Sequence, residues 1–218
     1  MTQTGKSLLS AAAAVLLSLA AVAPSHASAI TLYYNQSDFD SAVTTSLLED
    51  FESISPIPKD FPLASFSHNG VTYTGLAGSP FPNVWVASPG YPNFGLGVGI
   101  TTTSILVANG DEDIQMDFSM APLAVGFDVY FNGLGPVTLS VTNTAFTAIF
   151  TDSRLLDNKG YYGIVSTDPI LSIRFTSTDG GLLNTGVDNI AIASVPEPTT
   201  LALLGAGVLG LGRLRKRK

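Results

Sequence analysis

The chain of 218 residues contains no cysteine. That excludes disulfides, thiol catalysis and thiolate zinc sites. Histidine is nearly absent: His26 lies close to the N-terminus, so a nucleophile–base–acid triad would have to use His68. His68 is followed by Asn69-Gly70 and reads as an exposed neighbour of a turn. Neither a Gly-x-Ser-x-Gly elbow nor a His-Glu-x-x-His zinc site is present. Basic residues are scarce, and five of the ten Lys and Arg lie in the last six positions. Long amphipathic helical stretches are missing as well.

The two ends carry what the middle lacks. Lys6, the apolar stretch Leu8 to Val22 and Ala27-Ser28-Ala29 have the order of a secretory signal peptide, so residues 1–29 are expected to be removed and the mature chain to begin at Ile30. At the other end Val195-Pro196-Glu197-Pro198 is followed by an uncharged Leu/Gly/Ala-rich run, Thr199 to Gly212, and then by Arg213-Leu214-Arg215-Lys216-Arg217-Lys218. As a helix that run covers roughly 20 Å of a hydrocarbon core of roughly 30 Å. Four glycines weaken it further. It suits a temporary membrane hold, with the basic cluster keeping the end on the cytoplasmic side.

Pro196, Glu197, Pro198, the apolar run and the basic tail together resemble the PEP-CTERM sorting signal of exported bacterial proteins. The resemblance implies a precursor tethered transiently in the membrane. It implies handling by an exosortase-type membrane protease and delivery to the cell envelope or exopolysaccharide matrix. An ordinary unprocessed anchor is the other reading of the same residues.

Between the ends, residues 30–194 are expected to form one domain. Their only bases are Lys59, Arg154, Lys159 and Arg174, against 16 acids (the chain's 17 less Glu197), a balance of −12. Such a field repels nucleic acid and anionic lipid and suits solubility outside the cell or divalent cations. Short runs with period-two patterning recur, as in Val125, Phe127, Val129 and Phe131 against Gly126, Asp128 and Tyr130. Gly, Pro, Asn and Asp punctuate them. This predicts an antiparallel β-sandwich, jelly-roll-like. Ser37 to Thr45 is the one short helix expected, with Ser37 as N-cap and Phe39, Ala42 and Val43 on one face. A C-terminal apolar helix is expected from the tail. Asn69-Gly70 predicts a two-residue hairpin turn.

Three sets of residues could carry function. Glu49-Asp50-Phe51-Glu52 on an early strand and Val187-Asp188-Asn189-Ile190 on the last one resemble the paired motifs of MAM-type and carbohydrate-binding sandwiches and of PEP-CTERM protein bodies. The resemblance implies that the first and last strands pair. Glu52 and Asp188, helped by Asp50 and Asn189, could then hold Ca²⁺, a hard cation that takes oxygen ligands; capping of loops by the same side chains is the alternative. Trp85, Tyr91 and Phe94 lie in the Pro/Gly-rich segment Pro80 to Gly99. They could stack on sugar rings or plug the core. Paired carboxylates are also the equipment of a glycosidase. The sequence therefore points to a non-catalytic structural or polysaccharide-binding protein, with an envelope polysaccharide hydrolase as the alternative.

Overall fold

Alternation along the strands decides which side chains meet in the middle. In β9 (Val137–Asn143) every second residue from Val137 is buried, and the same holds in β4 (Val71–Gly75) and β7 (Ile114–Phe118). Residues with that pattern need an apolar face opposite them, and two facing sheets supply it. The structure, a computed structural model, describes residues 27–56, 63–76, 83–89, 102–108, 114–131, 137–152, 159–177 and 185–194. Residues 1–26 of the expected signal peptide, Pro196, Glu197, Pro198 and the expected C-terminal helix lie outside them. Among the described residues no helix is long and apolar enough to cross a membrane.

The smaller sheet has six strands, in the order β10 (Thr147–Asp152), β9, β12 (Ile170–Ser177), β7, β4, β3 (Ser65–His68). The larger has seven. Its main path is β1 (Ile30–Tyr33), β11 (Lys159–Ser166), β8 (Ala124–Phe131), β13 (Thr185–Ser194), β6 (Ile105–Ala108), β5 (Val84–Ala87). The seventh, β2 (Thr44–Glu49), also pairs with β13. All these pairings are antiparallel, so the chain is an all-β sandwich with a jelly-roll-like architecture. Early and late strands do meet, through β2 and β13. Between the sheets lie Phe51, Tyr73, Met116, Phe127, Tyr162 and Phe175, all buried. Phe127 meets Phe175 edge-on at 5.2 Å. Each such side chain contributes about 1.5–3 kcal/mol by leaving water.

The Asn69-Gly70 hairpin forms as the sequence predicts. Both residues have positive φ, 47° and 80°, as a tight primed turn requires. The helix, α1 (Gln36–Ala42), starts one residue earlier than expected and is capped by Asn35 rather than Ser37. Asn35 has the extended backbone of a cap, and its Oδ1 accepts from Asp38 N at 2.8 Å. Ser37 instead donates to that same Oδ1. The helix is too short to stand alone. It is held by Phe39, fully buried on the outer face of the larger sheet. There Gly126 and Gly163 lie directly opposite each other on β8 and β11. A Cβ at Gly163 would come within 2.5 Å of the Phe39 ring, and one at Gly126 within 2.6 Å. The ring fits because both positions lack a side chain.

Candidate functional site

Two polar clusters are built on these elements. The first joins the sheet edges β2 and β3. Glu49, at the end of β2, is buried. Its Oε1 accepts from the backbone N of Phe51 at 2.7 Å, and its Oε2 accepts from Asn69 Nδ2 at 3.1 Å and from His68 Nδ1. Asn69 also donates to Leu48 O. His68, read from sequence as a bystander at a turn, is thus half-buried and bonded to a buried carboxylate. Burial and the nearby Glu49 charge push the Tyr73 hydroxyl well above the usual tyrosine range. Phe51 takes a left-handed backbone, φ 57°, and its ring enters the core against Tyr73 at 5.5 Å.

The second cluster lies on the outer face of the larger sheet, beside α1. Where β13 passes from β6 to β2, it carries a bulge: Asp188 faces Asp128 and Ala191 faces Gly126, with one residue too many between them. Asn189 takes φ 51°, a conformation Asn tolerates better than most side chains. The bulge turns Asn189 outward. Its Nδ2 donates to Asp128 Oδ2 at 2.8 Å and to Asp188 Oδ2 at 3.3 Å. Lys159 Nζ stands 2.9 Å from Asp128. Burial lowers the proton affinity of Lys159, but the Asp128 hydrogen bond and charge outweigh it and raise the net value.

Asp188 itself is fully buried. Burial pushes its carboxyl up to about 6, against hydrogen bonds from Thr103 Oγ1 and Asn189 N that favour the anion.

Beside this bulge is a cavity of about 370 Å³ lined by Gln36, Asp40, Thr45, Asp128, Tyr161, Asn189 and Ala191. Gln36 and Asp40 reach it from one face of α1, four residues apart. Tyr161 comes from β11, and its ring leans on Phe39 at 6.0 Å. Burial, then Asp40 and Asp128, raise the Tyr161 hydroxyl, which therefore stays protonated and able to donate. Among the described residues the side chains of Gln36, Asp40 and Thr45 and the Tyr161 hydroxyl make no hydrogen bond to the protein. The cavity thus offers donors and acceptors together with one half-buried aromatic ring.

The residues singled out from sequence are placed differently. Asp50 Oδ1 accepts from Glu52 N, and Glu52 accepts from Ser104 N at 2.7 Å and from Ser104 Oγ. Asp188 accepts from the neighbouring Thr103. Glu52 and Asp188 are therefore brought to adjacent residues, each already bonded to donors. Among the described residues no group of three His, Asp or Glu side chains could hold a metal ion. Trp85 is 1 % exposed and packs with Ala87, Ile105, Val107 and Tyr130. A stacking platform must present a ring face to solvent, so the expectation of a sugar-stacking Trp85 is corrected to a core role. Tyr91 and Phe94 lie outside the described residues. Sequence reasoning missed Asp40, Asp128 and Tyr161. The one signal was glycine at 126 and 163, outward positions of otherwise well-patterned strands.

The profile of the PEP-CTERM protein-sorting motif matches residues 194–218. No curated protein matches the chain. Among solved structures, a family 29 carbohydrate-binding module variant complexed with cellulohexaose is 14 % identical, covering 70 % of this chain and 92 % of that one, with a TM-score of 0.36. Another family 29 module is 14 % identical over 69 % of this chain and 88 % of that one, at a TM-score of 0.35. The chain carries a PEP-CTERM sorting motif at its C-terminus, the mark of an exported protein, behind an antiparallel β-sandwich.

Proposed function

We propose that the exported sandwich is a non-catalytic module that binds polysaccharide of the envelope or extracellular matrix in the cavity between α1 and the outer face of the larger sheet. One observation carries this reading. Gln36, Asp40, Thr45 and Tyr161 present hydrogen-bonding groups that the described protein leaves uncommitted, around a cavity of about 370 Å³. That volume is at the small end of ligand sites. A sugar ring offers hydroxyls to such groups and an apolar face to the Tyr161 ring. The sorting motif supports the setting: a protein exported and handled by an exosortase-type protease would meet polysaccharide in the envelope or matrix.

Calorimetric titration with a panel of soluble hexaoses and pull-down on insoluble polysaccharides test this. At least one glycan should bind, with a Kd roughly between micromolar and millimolar, and Asp40→Ala should weaken it. No binding across the panel, or binding indifferent to Asp40→Ala and Tyr161→Phe, overturns the assignment. Asp40 and Asp128 share the cavity, as a hydrolase would also need. A general acid must carry a proton to the leaving group, whereas Asp128 accepts from both Lys159 and Asn189. Incubation with bound glycan should therefore release no new reducing ends.

A further inference from the structure

The two ends of the sandwich strands meet at one end of the molecule. The last strand finishes at Ser194, opposite Thr44 of β2, and Ala193 lies opposite Ala124 at the start of β8. The first strand begins at Ile30, opposite Ser166. Ahead of it, Ala29 N donates to Thr167 Oγ1 at 2.9 Å, and Thr167 N donates to Ala29 O at 3.0 Å. The connections at this end are tied together: Ile170 N donates to Pro122 O at 2.8 Å, and Thr144 N to Pro169 O at 3.1 Å. The apolar leader and the sorting signal therefore leave the domain from the same end.

Three of the six exposed large apolar side chains among the described residues are at that end. Met120, in the connection from β7 to β8, is 43 % exposed; Phe146, between β9 and β10, 36 %; and Leu171, second residue of β12, 41 %. Beside them is a hollow of about 410 Å³ whose apolar walls are Met120, Pro122, Ile192 and Ala193. From Ser194 to Thr199, where the apolar run of the tail begins, there are five residue steps. Fully extended they reach roughly 18 Å. The headgroup layer outside the hydrocarbon core takes up roughly 5–8 Å of that. A domain tethered so closely cannot turn another face to the bilayer.

The geometry points to a lipid-facing surface: while the sorting signal is in place, Met120, Phe146 and Leu171 rest in the membrane interface. The partner is the bilayer surface, and the contact is apolar. The described bases, Lys159 at the far end of β11 and Arg174 within β12, lie away from these connections, and Asp168 is at this end. Anionic headgroups therefore add nothing.

Absence of cysteine makes the test direct. The full-length chain with its tail intact is labelled at Ala145→Cys, beside Phe146, or at Thr151→Cys, exposed farther along β10, with an environment-sensitive dye. It is reconstituted in phosphatidylethanolamine/phosphatidylglycerol vesicles or in phosphatidylcholine vesicles carrying a headgroup-level nitroxide quencher. Quenching at position 145 should exceed that at 151 several-fold and be equal in the two lipid mixtures. In a background of Met120→Ser with Leu171→Ser, both exposed and tolerant of the change, it should fall at least twofold with the tail still inserted. Equal quenching at 145 and 151, or quenching at 145 indifferent to the serine pair, overturns the proposal.

Discussion

Among the buried carboxylates of this sandwich, Glu49 and Asp188 differ in what is left over around them. At the junction of β2 and β3, both oxygens of Glu49 are met by donors inside the protein: Phe51 N, His68 and Asn69. On the outer face of the larger sheet, Asp188 and Asp128 are also bonded, but the shell around them opens into a cavity ringed by Asp40, Gln36, Thr45 and Tyr161. A buried polar group whose partners are all internal fastens the fold. A cluster that ends in uncommitted groups facing solvent is equipped to take a ligand. The first region should therefore answer to mutation in stability, the second in affinity.

The largest expected effect tests where the two depend on each other. Phe39→Ala removes the ring seated on Gly126 and Gly163 and should cost about 3 kcal/mol. It also frees α1, so Gln36 and Asp40 leave the cavity and glycan affinity falls with stability. Denaturant unfolding and titration on the same sample check both. Next, Glu49→Ala leaves Phe51 N without its acceptor and Asn69 with only Leu48 O, and should cost roughly 2 kcal/mol, lessened by the partial exposure of His68. Affinity per folded molecule should not change. A loss of affinity without a loss of stability would break the division between the regions. Asp40→Ala should do the reverse, with glycan binding weaker by about 5–10-fold, one hydrogen bond's worth, and unaltered melting.

Asp188 sharpens the contrast through pH. Its carboxyl is raised from the ordinary 3.8 to about 6 in the folded protein, chiefly by burial. The folded state then holds the proton that the unfolded state releases, so this group's contribution falls as pH rises from about 4 to 6 and is lowest above 6. Asp188→Asn should remove that slope and leave the protein at pH 7 equal to wild type or more stable, by roughly 1 kcal/mol. Melting at a series of pH values reads it out; a wild-type slope persisting in the variant would mean another group is responsible. The smallest effect concerns cations. Glu52 and Asp188 spend their oxygens on Ser104, Thr103 and Asn189, so melting in millimolar Ca²⁺ should match melting in Na⁺ of equal ionic strength. A Ca²⁺-specific rise abolished by Asp188→Asn would instead put an ion between the first and last strands.

Much of the fold was legible because alternation and turn chemistry are local. Asn69-Gly70 announces its hairpin, and the alternation of Val125, Phe127 and Val129 shows which residues face inward. The start of β2 was not: Thr44 and Thr45 are exposed, so the strand had no apolar partner to announce it. The helix cap was placed at Ser37 because Asn35 and Ser37 have equivalent side-chain chemistry, and only the backbone at 35 distinguishes them. The cavity could not be read at all. It draws on α1, β2, β8, β11 and β13, brought together by a sheet order that no local pattern encodes. Val187-Asp188-Asn189-Ile190 stands out in the sequence for Asp188, yet what matters there is a bulge, a backbone property. Glu49 and His68 meet across 19 residues and two different sheets, so the hairpin signal beside His68 hid its partner.

The position of β13 bears on timing. The strand at the centre of the larger sheet, the one that joins β8, β6 and β2, is made of the last ten described residues, and the sorting motif begins at its final residue. During secretion the N-terminal strands reach the far side first, but the sheet they belong to has a gap in its middle until Ser194 has crossed. Contacts such as Thr44 with Ser194 span nearly the whole domain, the kind that forms slowly. A chain stalled before Thr185 would expose the facing edges of β8 and β6 to proteases. Completion of the fold and emergence of the sorting signal therefore fall at the same moment, so the processing machinery meets its motif on a domain that has just been able to close.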